Sequence, residues 1–150
     1  MRIYTDGSCT SAGDGGWAWV LEEDFSMDGD PAMARNGGAE GQTNQRMEMK
    51  AVLEALLSFP GDDLTIVSDS RYVVNCFNDG WWRKWVKNGW KNSAREDVAN
   101  RDLWELLLAS IKDRDVTFEW VKGHSGDPMN ELADRLATEA RVNHLSDRGS

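Results

Sequence analysis

Short apolar runs and helical spacings alternate along the chain. Residues 1–6 and 64–69 are apolar runs of strand length, and each stops at an aspartate that is followed by small residues. Residues 17–21 and 116–121 are two more runs of this kind, and residues 31–35 are a weaker one. Runs of this length between turn-forming residues are typical of strands, so the pattern predicts a five-stranded sheet.

Apolar residues at helical spacing predict helices over residues 43–58, 70–77 and 100–112, a short basic helix from Trp81, and a last helix from Asp127. The first helix has the clearest pattern. Its apolar residues recur at i, i+3, i+4 and i+7, the spacing of one buried helix face. They are Met49, Val52, Leu53 and Leu56.

The order of these elements predicts the topology of the sheet. The first three strands follow one another through turns, which favours an antiparallel meander. The last two strands are each entered through a helix and are expected to run parallel to the first. The chain is therefore expected to be an α/β domain with a mixed sheet flanked by helices, and sites in such sheets lie at the carboxyl ends of the strands.

The composition fits one folded domain. The chain has 150 residues, of which 40% are hydrophobic, and it contains eight tryptophans and two cysteines. We expect a domain over residues 1–142 and a flexible polar tail over 143–150. A cytoplasmic protein is expected, because no segment resembles a signal peptide or a membrane span. The net charge of −9 would argue against a nucleic-acid partner if it were evenly spread, but it is not.

A basic, tryptophan-rich segment interrupts the acidic background. Residues 81–95 carry five cations and no acidic residue, together with Trp81, Trp82, Trp85 and Trp90. Some of these rings are expected to pack a small helix against the body of the domain. The combination nevertheless favours a protrusion that faces nucleic acid, because aromatic rings contact bases and sugars while Lys and Arg contact phosphates.

Four acidic residues are candidates for a metal site. Asp6 and Asp69 each end a predicted strand. Glu48 lies in the early turns of the first helix, where it would also suit the helix N-terminus, and Asp134 lies at the margin of the last helix's buried face. Together they form an all-oxygen set, which suits Mg²⁺ or Mn²⁺. Two such ions about 4 Å apart can drive phosphodiester hydrolysis, so the residues alone point to a metal-dependent nuclease.

In its motifs the chain resembles type 1 ribonucleases H, the bacterial ribonuclease HI family. The resemblance covers residues 1–140 and follows the family's order and spacing. The motifs are Thr-Asp-Gly-Ser-Cys at 5–9, Thr-Asn-Gln-Arg-Met-Glu at 43–48, Ser-Asp-Ser at 68–70, the tryptophan-rich basic segment, Asn-Arg-Asp-Leu-Trp at 100–104, Trp-Val-Lys-Gly-His at 120–124 and Asn-Glu-Leu-Ala-Asp at 130–134.

The resemblance implies a ribonuclease H-like fold and an endonuclease that hydrolyses the RNA strand of RNA–DNA hybrids, leaving 5′-phosphate and 3′-hydroxyl ends. It implies two Mg²⁺ ions, with Mn²⁺ able to substitute, and a monomer with no obligatory protein partner. By this resemblance Asp6 bridges both ions, and Asp134 helps to hold the ion at the attacking water. Glu48 and Asp69 hold the ion at the leaving oxygen, and His124 assists proton transfer or product release from its loop.

The resemblance also assigns substrate contacts. The backbone near Cys9 and the side chains of Asn44 and Gln45 would read 2′-hydroxyls of the RNA strand, as would Glu48. Thr43 and Asn100 would bind a phosphate of the DNA strand, although Asn100 also fits a plain helix N-cap. The basic protrusion that seats the DNA strand would comprise Trp81, Arg83, Lys84, Trp85 and Lys87. Contacts of these kinds carry little sequence information, so cleavage is expected to be largely sequence-independent.

The sequence departs from the family's pattern in three places. Gly41 stands where some relatives carry a phosphate-binding arginine. The loop over residues 10–16 is shortened and lacks the Asn-Pro of many relatives, and the acidic segment over residues 22–40 has no role that we can assign.

Three other functions stay open on the residues alone. Another nuclease of the same fold, such as a Holliday-junction resolvase or an integrase core, would share the carboxylates, although the tryptophan-rich segment and the 43–48 motif argue against it. A hybrid-binding module with a degenerate site, or a structural domain with solvated acids, would not turn substrate over. Substrate competition, turnover in Mg²⁺ and a metal titration of stability separate these functions.

Overall fold

Five strands form one sheet in the computed structural model, which describes residues 1–22, 34–123 and 126–148. The strands are β1 (Arg2–Cys9), β2 (Gly15–Leu21), β3 (Ala34–Ala39), β4 (Leu64–Ser68) and β5 (Val116–Trp120). The helices are α1 (Asn44–Ser58), α2 (Arg71–Asn78), α3 (Trp81–Asn88), α4 (Arg101–Ile111) and α5 (Pro128–Arg148).

The topology confirms the predicted fold class. β2 pairs antiparallel with β1 and β3, while β4 pairs parallel with β1 and β5, so the strand order is β3-β2-β1-β4-β5. The antiparallel meander and the helical crossovers therefore lie where the element order predicted them. Within the described ranges, none of the helices combines the length and the apolar character needed to cross a membrane.

Different helices cover the two faces of the sheet. Ile3 and Ile66 point into the larger core cluster, which is filled by residues of α1, α2 and α4. Tyr4 and Val67, the next residues along the same two strands, point into a smaller cluster with α5. Burying one side chain of the size of Ile66 contributes about 1.5–3 kcal/mol, so both faces supply free energy of folding to the strands that end at the carboxylates.

The prediction that β1 stops at Asp6 is wrong. β1 continues to Cys9, because Gly7, Ser8 and Cys9 pair with the first residues of β2, down to Gly15. Gly-Ser has low strand propensity, but pairing along a neighbouring strand overrides a local preference of this size. Asp6 therefore lies inside a strand, whereas Asp69 directly follows the last residue of β4, as expected.

The third strand lies further along the chain than predicted. It was expected over residues 31–35, of which 31–33 lie outside the described residues, and it runs over Ala34–Ala39. The Gly-Gly pair within it reads as a turn, yet Gly37 lies under the ring of Trp17 on β2. A Cβ at Gly37 would be 2.8 Å from Trp17 Cζ2, so glycine here allows close packing of the ring on the strand.

Two helix starts follow the predicted capping signals, whereas the end of the last helix differs from the prediction. Thr43 caps α1, since its Oγ1 accepts a hydrogen bond from the backbone N of Arg46. Asp127 caps α5, since its Oδ1 accepts from the backbone N of Met129 at 3.0 Å. α5 continues to Arg148, beyond the boundary expected at residue 143, and the flexibility of this tail stays a prediction.

Candidate active site

Three carboxylates meet at one end of the β1–β4 pair. One oxygen from each of Asp6, Glu48 and Asp69 lies within 4.8 Å of the others. Thr5 and Ser68 are the last paired residues of the two parallel strands, so Asp6 and Asp69 follow side by side. Glu48 reaches the same place from the second turn of α1. The topology thus collects residues that are far apart in the sequence.

Two glycines allow the backbone to approach these carboxylates. A Cβ at Gly7 would lie 2.4 Å from the backbone N of Glu48, so β1 and α1 can be this close only without a side chain at Gly7. A Cβ at Gly123 would lie 2.9 Å from Asp69 Oδ2. The backbone of Glu48 therefore packs directly on β1, and the carboxylate of Asp69 lies against the backbone of Gly123.

Burial and mutual repulsion raise the pKa values of this site. Asp6 is 3% exposed, and burial raises its pKa to about 8, with further increases from the charge of Asp69 and a hydrogen bond with Asp134. Hydrogen bonds with Glu48 and from the backbone N of Gly7, at 2.9 Å, act in the opposite direction. Burial and the charge of Asp6 raise the pKa of Glu48 well above its usual value.

The donor set fits a hard divalent cation. Glu48 Oε2 is buried, and no donor among the described residues reaches it. A buried carboxylate oxygen without a partner is costly, and a cation that binds all three residues removes both this cost and the repulsion between them. Because every ligand is an oxygen atom, Mg²⁺ and Mn²⁺ fit better than zinc.

Of the other two predicted catalytic residues, Asp134 and His124, the structure describes only Asp134. Asp134 lies half-buried on α5, close enough to Asp6 to raise its pKa, so the structure brings it to the edge of the cluster. His124 lies outside the described residues, and its role stays a prediction. α5 begins only a few residues after His124 in the sequence, and Asp134 on this helix lies at the edge of the carboxylate cluster.

The residues predicted to read the RNA strand flank the carboxylates. Cys9 ends β1, and its Sγ donates to the carbonyl oxygen of Gln42 at 3.2 Å. The backbone N of Gln42 donates to the carbonyl of Gly13 at 2.9 Å, which ties the glycine-rich loop to the start of α1. Asn44 and Gln45 are exposed in the first turn of α1, one turn before Glu48.

Asn100 is held by a network that the sequence analysis missed. Its backbone is left-handed, with φ +63°, and its side chain does not cap α4. Its Oδ1 accepts from Arg46 Nη1 at 3.3 Å, and its Nδ2 donates to the hydroxyl of Tyr72 at 3.3 Å. Arg46 also donates to both carboxylate oxygens of Asp102, at 3.0 and 2.8 Å. A bidentate arginine fixes geometry, so the side chain of Asn100 is presented in one orientation.

Two tryptophans of the basic segment have a structural as well as a surface role. The rings of Trp81 and Trp85 are half-buried and pack against the larger core cluster, with Trp85 5.6 Å from Trp104. The cations of α3 are exposed; they are Arg83, Lys84 and Lys87. A cleft of about 370 Å³ opens between α3 and the following loop, with Trp81, Lys84 and Trp85 among its lining residues. Rings and cations thus share one concave surface.

Comparisons with known proteins agree with these observations. The family model described as RNase H matches residues 1–142. The chain is 45% identical over 141 residues to the ribonuclease H of Syntrophomonas wolfei subsp. wolfei, an alignment that covers 92% of this chain and 93% of that protein. It is 43% identical over 152 residues to the ribonuclease H of Treponema pallidum subsp. pallidum, covering 93% and 89% of the two chains.

A solved structure is similar over nearly the whole chain. It is the crystal structure of LC9-RNase H1, described as a type 1 RNase H with the type 2 active-site motif. The TM-score is 0.76 at 26% identity, and the match covers 95% of this chain and 72% of that one. The motifs, the fold and these similarities lead to one conclusion: the chain belongs to the ribonuclease H family, which cleaves RNA in RNA–DNA hybrids.

Proposed function

We propose that this protein is a metal-dependent endonuclease that hydrolyses the RNA strand of RNA–DNA hybrids with two Mg²⁺ ions, leaving 5′-phosphate and 3′-hydroxyl ends. The observation that carries the proposal is the meeting of Asp6, Glu48 and Asp69 within 4.8 Å, two of them buried, at the carboxyl end of parallel strands. Mn²⁺ can replace Mg²⁺ in such an oxygen-only site.

Different carboxylates would bind the two ions. Asp6 is central, because it neighbours Asp69 across the strands and lies close enough to Glu48 and Asp134 for both to affect its pKa, so it would be a ligand of both ions. Asp134 would hold the ion at the attacking water, while Glu48 and Asp69 would hold the ion at the leaving 3′ oxygen. The ions would supply activation of the water and stabilisation of the leaving oxygen. His124 would assist proton transfer or product release.

Discrimination between RNA and DNA follows from what surrounds Glu48. Asn44 and Gln45 lie one turn before Glu48, and the side chain of Cys9 ties the end of β1 to Gln42, just before the same helix. These groups would contact 2′-hydroxyls of the strand whose phosphate lies at the carboxylates, and Glu48 would accept from one of them. The strand that is cleaved would thus be read within one helix turn of the site.

The DNA strand would be bound further away. Thr43 and Asn100 would bind one of its phosphates, with Arg46 holding the side chain of Asn100 in place. Among the described residues, no atom lies within 4 Å of the Cβ position of Gly41, so an arginine of the kind some relatives carry there would have room, although the φ of +65° would strain the backbone. The lack of that arginine would weaken this phosphate site. The cations and rings of α3 would seat the DNA strand beyond it, without reading its sequence.

The compartment and the assembly state belong to the proposal as well. Cys9 and Cys76 are both free thiols in the structure, which fits a reducing compartment such as the cytoplasm. We infer from the resemblance of the motifs that the chain acts as a monomer.

One gel assay tests the proposal. A labelled duplex is prepared as RNA–DNA, RNA–RNA and DNA–DNA, and each form is incubated with Mg²⁺ and with EDTA. We expect cleavage of the RNA strand of the hybrid alone, only with metal, with fragments that carry 5′-phosphates. Cleavage of a DNA substrate would instead indicate a resolvase or integrase-like nuclease. Binding of the hybrid without cleavage would indicate a binding module.

A further inference from the structure

The side chain of Trp120 extends the β4–β5 pairing onto the backbone of Asp69. The registered pairs of the two strands end at Ser68 and Trp120, where the backbone N of Val121 donates to the carbonyl of Ser68 at 3.0 Å. Asp69 follows Ser68 directly, one residue beyond the last registered pair. The indole Nε1 of Trp120 donates to the backbone carbonyl of Asp69 at 3.1 Å.

An arginine covers the outer face of this indole. The guanidinium carbon of Arg71 lies 4.4 Å from the ring centroid of Trp120, a distance at which a cation is attracted to the ring. Trp120 is 37% exposed, so it contributes less to core burial than a tryptophan such as Trp104, which is fully buried. The contacts of the Trp120 side chain with Asp69 and Arg71 are thus made where β4 turns into α2.

The neighbours of Asp69 in the chain are held by hydrogen bonds as well. Ser68 Oγ accepts from the backbone N of Ser70 at 3.0 Å, and Ser70 caps α2 by accepting from the backbone N of Val73. The carboxylate of Asp69 meets the backbone of Gly123 on one side and the other two carboxylates on another. A rotation of the Asp69 peptide would move its carboxylate out of the cluster, and the bond from Trp120 opposes that rotation.

We propose that Trp120 is a positioning residue that fixes Asp69 for cation binding, with Arg71 holding the indole in place. The inference rests on the proposed function, because it assumes that Asp69 is a metal ligand. Hydrogen bonds of this kind orient metal ligands, and their loss weakens metal affinity. Trp120 acts through Asp69 and contacts no reacting atom.

The test is a titration of the whole protein with Mg²⁺ alone, followed by thermal unfolding. Trp120→Phe keeps an aromatic ring under Arg71 and removes the N–H donor. We expect the Mg²⁺ concentration for half-maximal stabilisation to rise about three- to tenfold, while the melting temperature in EDTA stays near that of the wild type. A lower melting temperature in EDTA with an unchanged Mg²⁺ midpoint would overturn the proposal, because it would show a purely structural role.

Trp82→Phe is the matched control. Trp82 is also half-buried under an arginine, with the guanidinium carbon of Arg83 at 5.3 Å from its ring, but it lies on α3 away from the carboxylates. Its substitution should leave the Mg²⁺ midpoint unchanged. An equal shift in both variants would contradict a specific role for Trp120.

Two further measurements keep the proposal testable. Arg71→Lys retains the charge but not the planar stack, so it should raise the Mg²⁺ midpoint about twofold, and an unchanged midpoint would remove Arg71 from the proposal. At saturating Mg²⁺, Trp120→Phe should recover the wild-type kcat and KM. A KM that stays high at every Mg²⁺ concentration would indicate a substrate contact instead.

The titration also separates failure of this inference from failure of the proposed function. If Mg²⁺ stabilises the wild type but not Asp69→Asn, and Trp120→Phe behaves as the wild type, only the positioning role is wrong. If Mg²⁺ stabilises wild type and Asp69→Asn equally, the metal site itself is wrong, and the role of Trp120 fails with it.

Discussion

The carboxylate end of the sheet and helix α3 are built in opposite ways. The carboxylates come from three separate segments of the chain, and Asp6 is only 3% exposed to solvent. α3 is one continuous segment of eight residues, none of which is fully buried. In the first region a few groups are placed accurately, at a cost in free energy from charge repulsion and desolvation. In the second region cations and aromatic rings are spread over a solvent-exposed surface. Chemistry needs the accuracy, whereas contacts to a regular phosphate backbone do not.

The two regions should therefore respond differently to substitution. A change among the carboxylates alters the charge that develops during reaction and should act mainly on kcat. A change on α3 alters ionic contacts in water and should act mainly on KM and its dependence on salt. Four predictions follow from this contrast, in order of decreasing expected effect.

Asp69→Asn should abolish turnover. Loss of one cation ligand removes several kcal/mol of transition-state stabilisation, and about 4 kcal/mol corresponds to a thousandfold loss in kcat. The melting temperature in EDTA should stay the same or rise, because one of three crowded charges is removed. Single-turnover cleavage of a labelled hybrid measures the first effect. Asp79→Asn, at the exposed end of α2, is the matched control, and an active Asp69→Asn would refute the metal site.

Gly7→Ala should impair activity without touching a carboxylate. Its Cβ would lie 2.4 Å from the backbone N of Glu48, so α1 must move away from β1. We expect kcat to fall more than about tenfold and the free energy of unfolding to fall by about 1–3 kcal/mol, as for overpacking. Gly61→Ala is the control, because no atom of the described residues lies within 4 Å of the Gly61 Cβ position and the substitution meets only backbone strain at φ +81°. Wild-type kcat in Gly7→Ala would show that this contact does not position Glu48.

Replacing Lys84 and Lys87 together by Ala should raise KM about tenfold with little change in kcat. If each lysine neutralises one phosphate, the slope of log binding constant against log salt should become shallower by about 1 to 2. Fluorescence anisotropy with a hybrid in Ca²⁺ at several salt concentrations gives this slope. Lys112→Ala, beyond the far end of α4, serves as the control. An unchanged slope would remove α3 from the substrate surface.

The metal-free protein should lose stability as pH rises. Asp6 and Glu48 have raised pKa values in the folded state, so their contribution to stability is complete below about pH 4 and is lost as pH rises toward the Asp6 pKa of about 8. We expect the melting temperature in EDTA to fall by about 5 °C through this window from this cause, and Mg²⁺ to reverse the fall. Asp6→Asn should flatten the profile, and an equally steep profile in that variant would contradict the assignment.

The sequence predicted best those parts of the fold that depend on local pattern. α1 and its Thr43 cap follow from helical spacing and a capping side chain, and Asp69 follows from an apolar run with a clear end. The position of β3 was not predicted, because the glycine at 37 is explained by the ring of Trp17 on the neighbouring strand. Tertiary contacts decide such segments, and a single sequence does not display them.

The same division applies to the site. Asp6 and Asp69 are visible in the sequence as polar residues at the ends of apolar runs, Glu48 is visible as an acidic residue early in the first helix, and the structure gathers all three. The hydrogen bonds that position the site residues are not apparent from the sequence. Nothing in the sequence pairs Trp120 with Asp69, or Arg46 with Asn100, because each pair is joined by a hydrogen bond between distant segments. Gly7 could have been noticed, since a glycine directly after a candidate ligand often marks a close approach of backbone.

α3 is also the element that should open first on warming. It has eight residues, fewer than an isolated helix needs to be stable in water, and left-handed glycines, Gly80 and Gly89, bound it at both ends. Its attachment depends on a few half-buried tryptophan rings, so its amides should exchange with solvent through local opening while the amides of α1 exchange only on global unfolding. At temperatures below the melting temperature, the protein would then bind the hybrid more weakly while the sheet and its carboxylates remain folded.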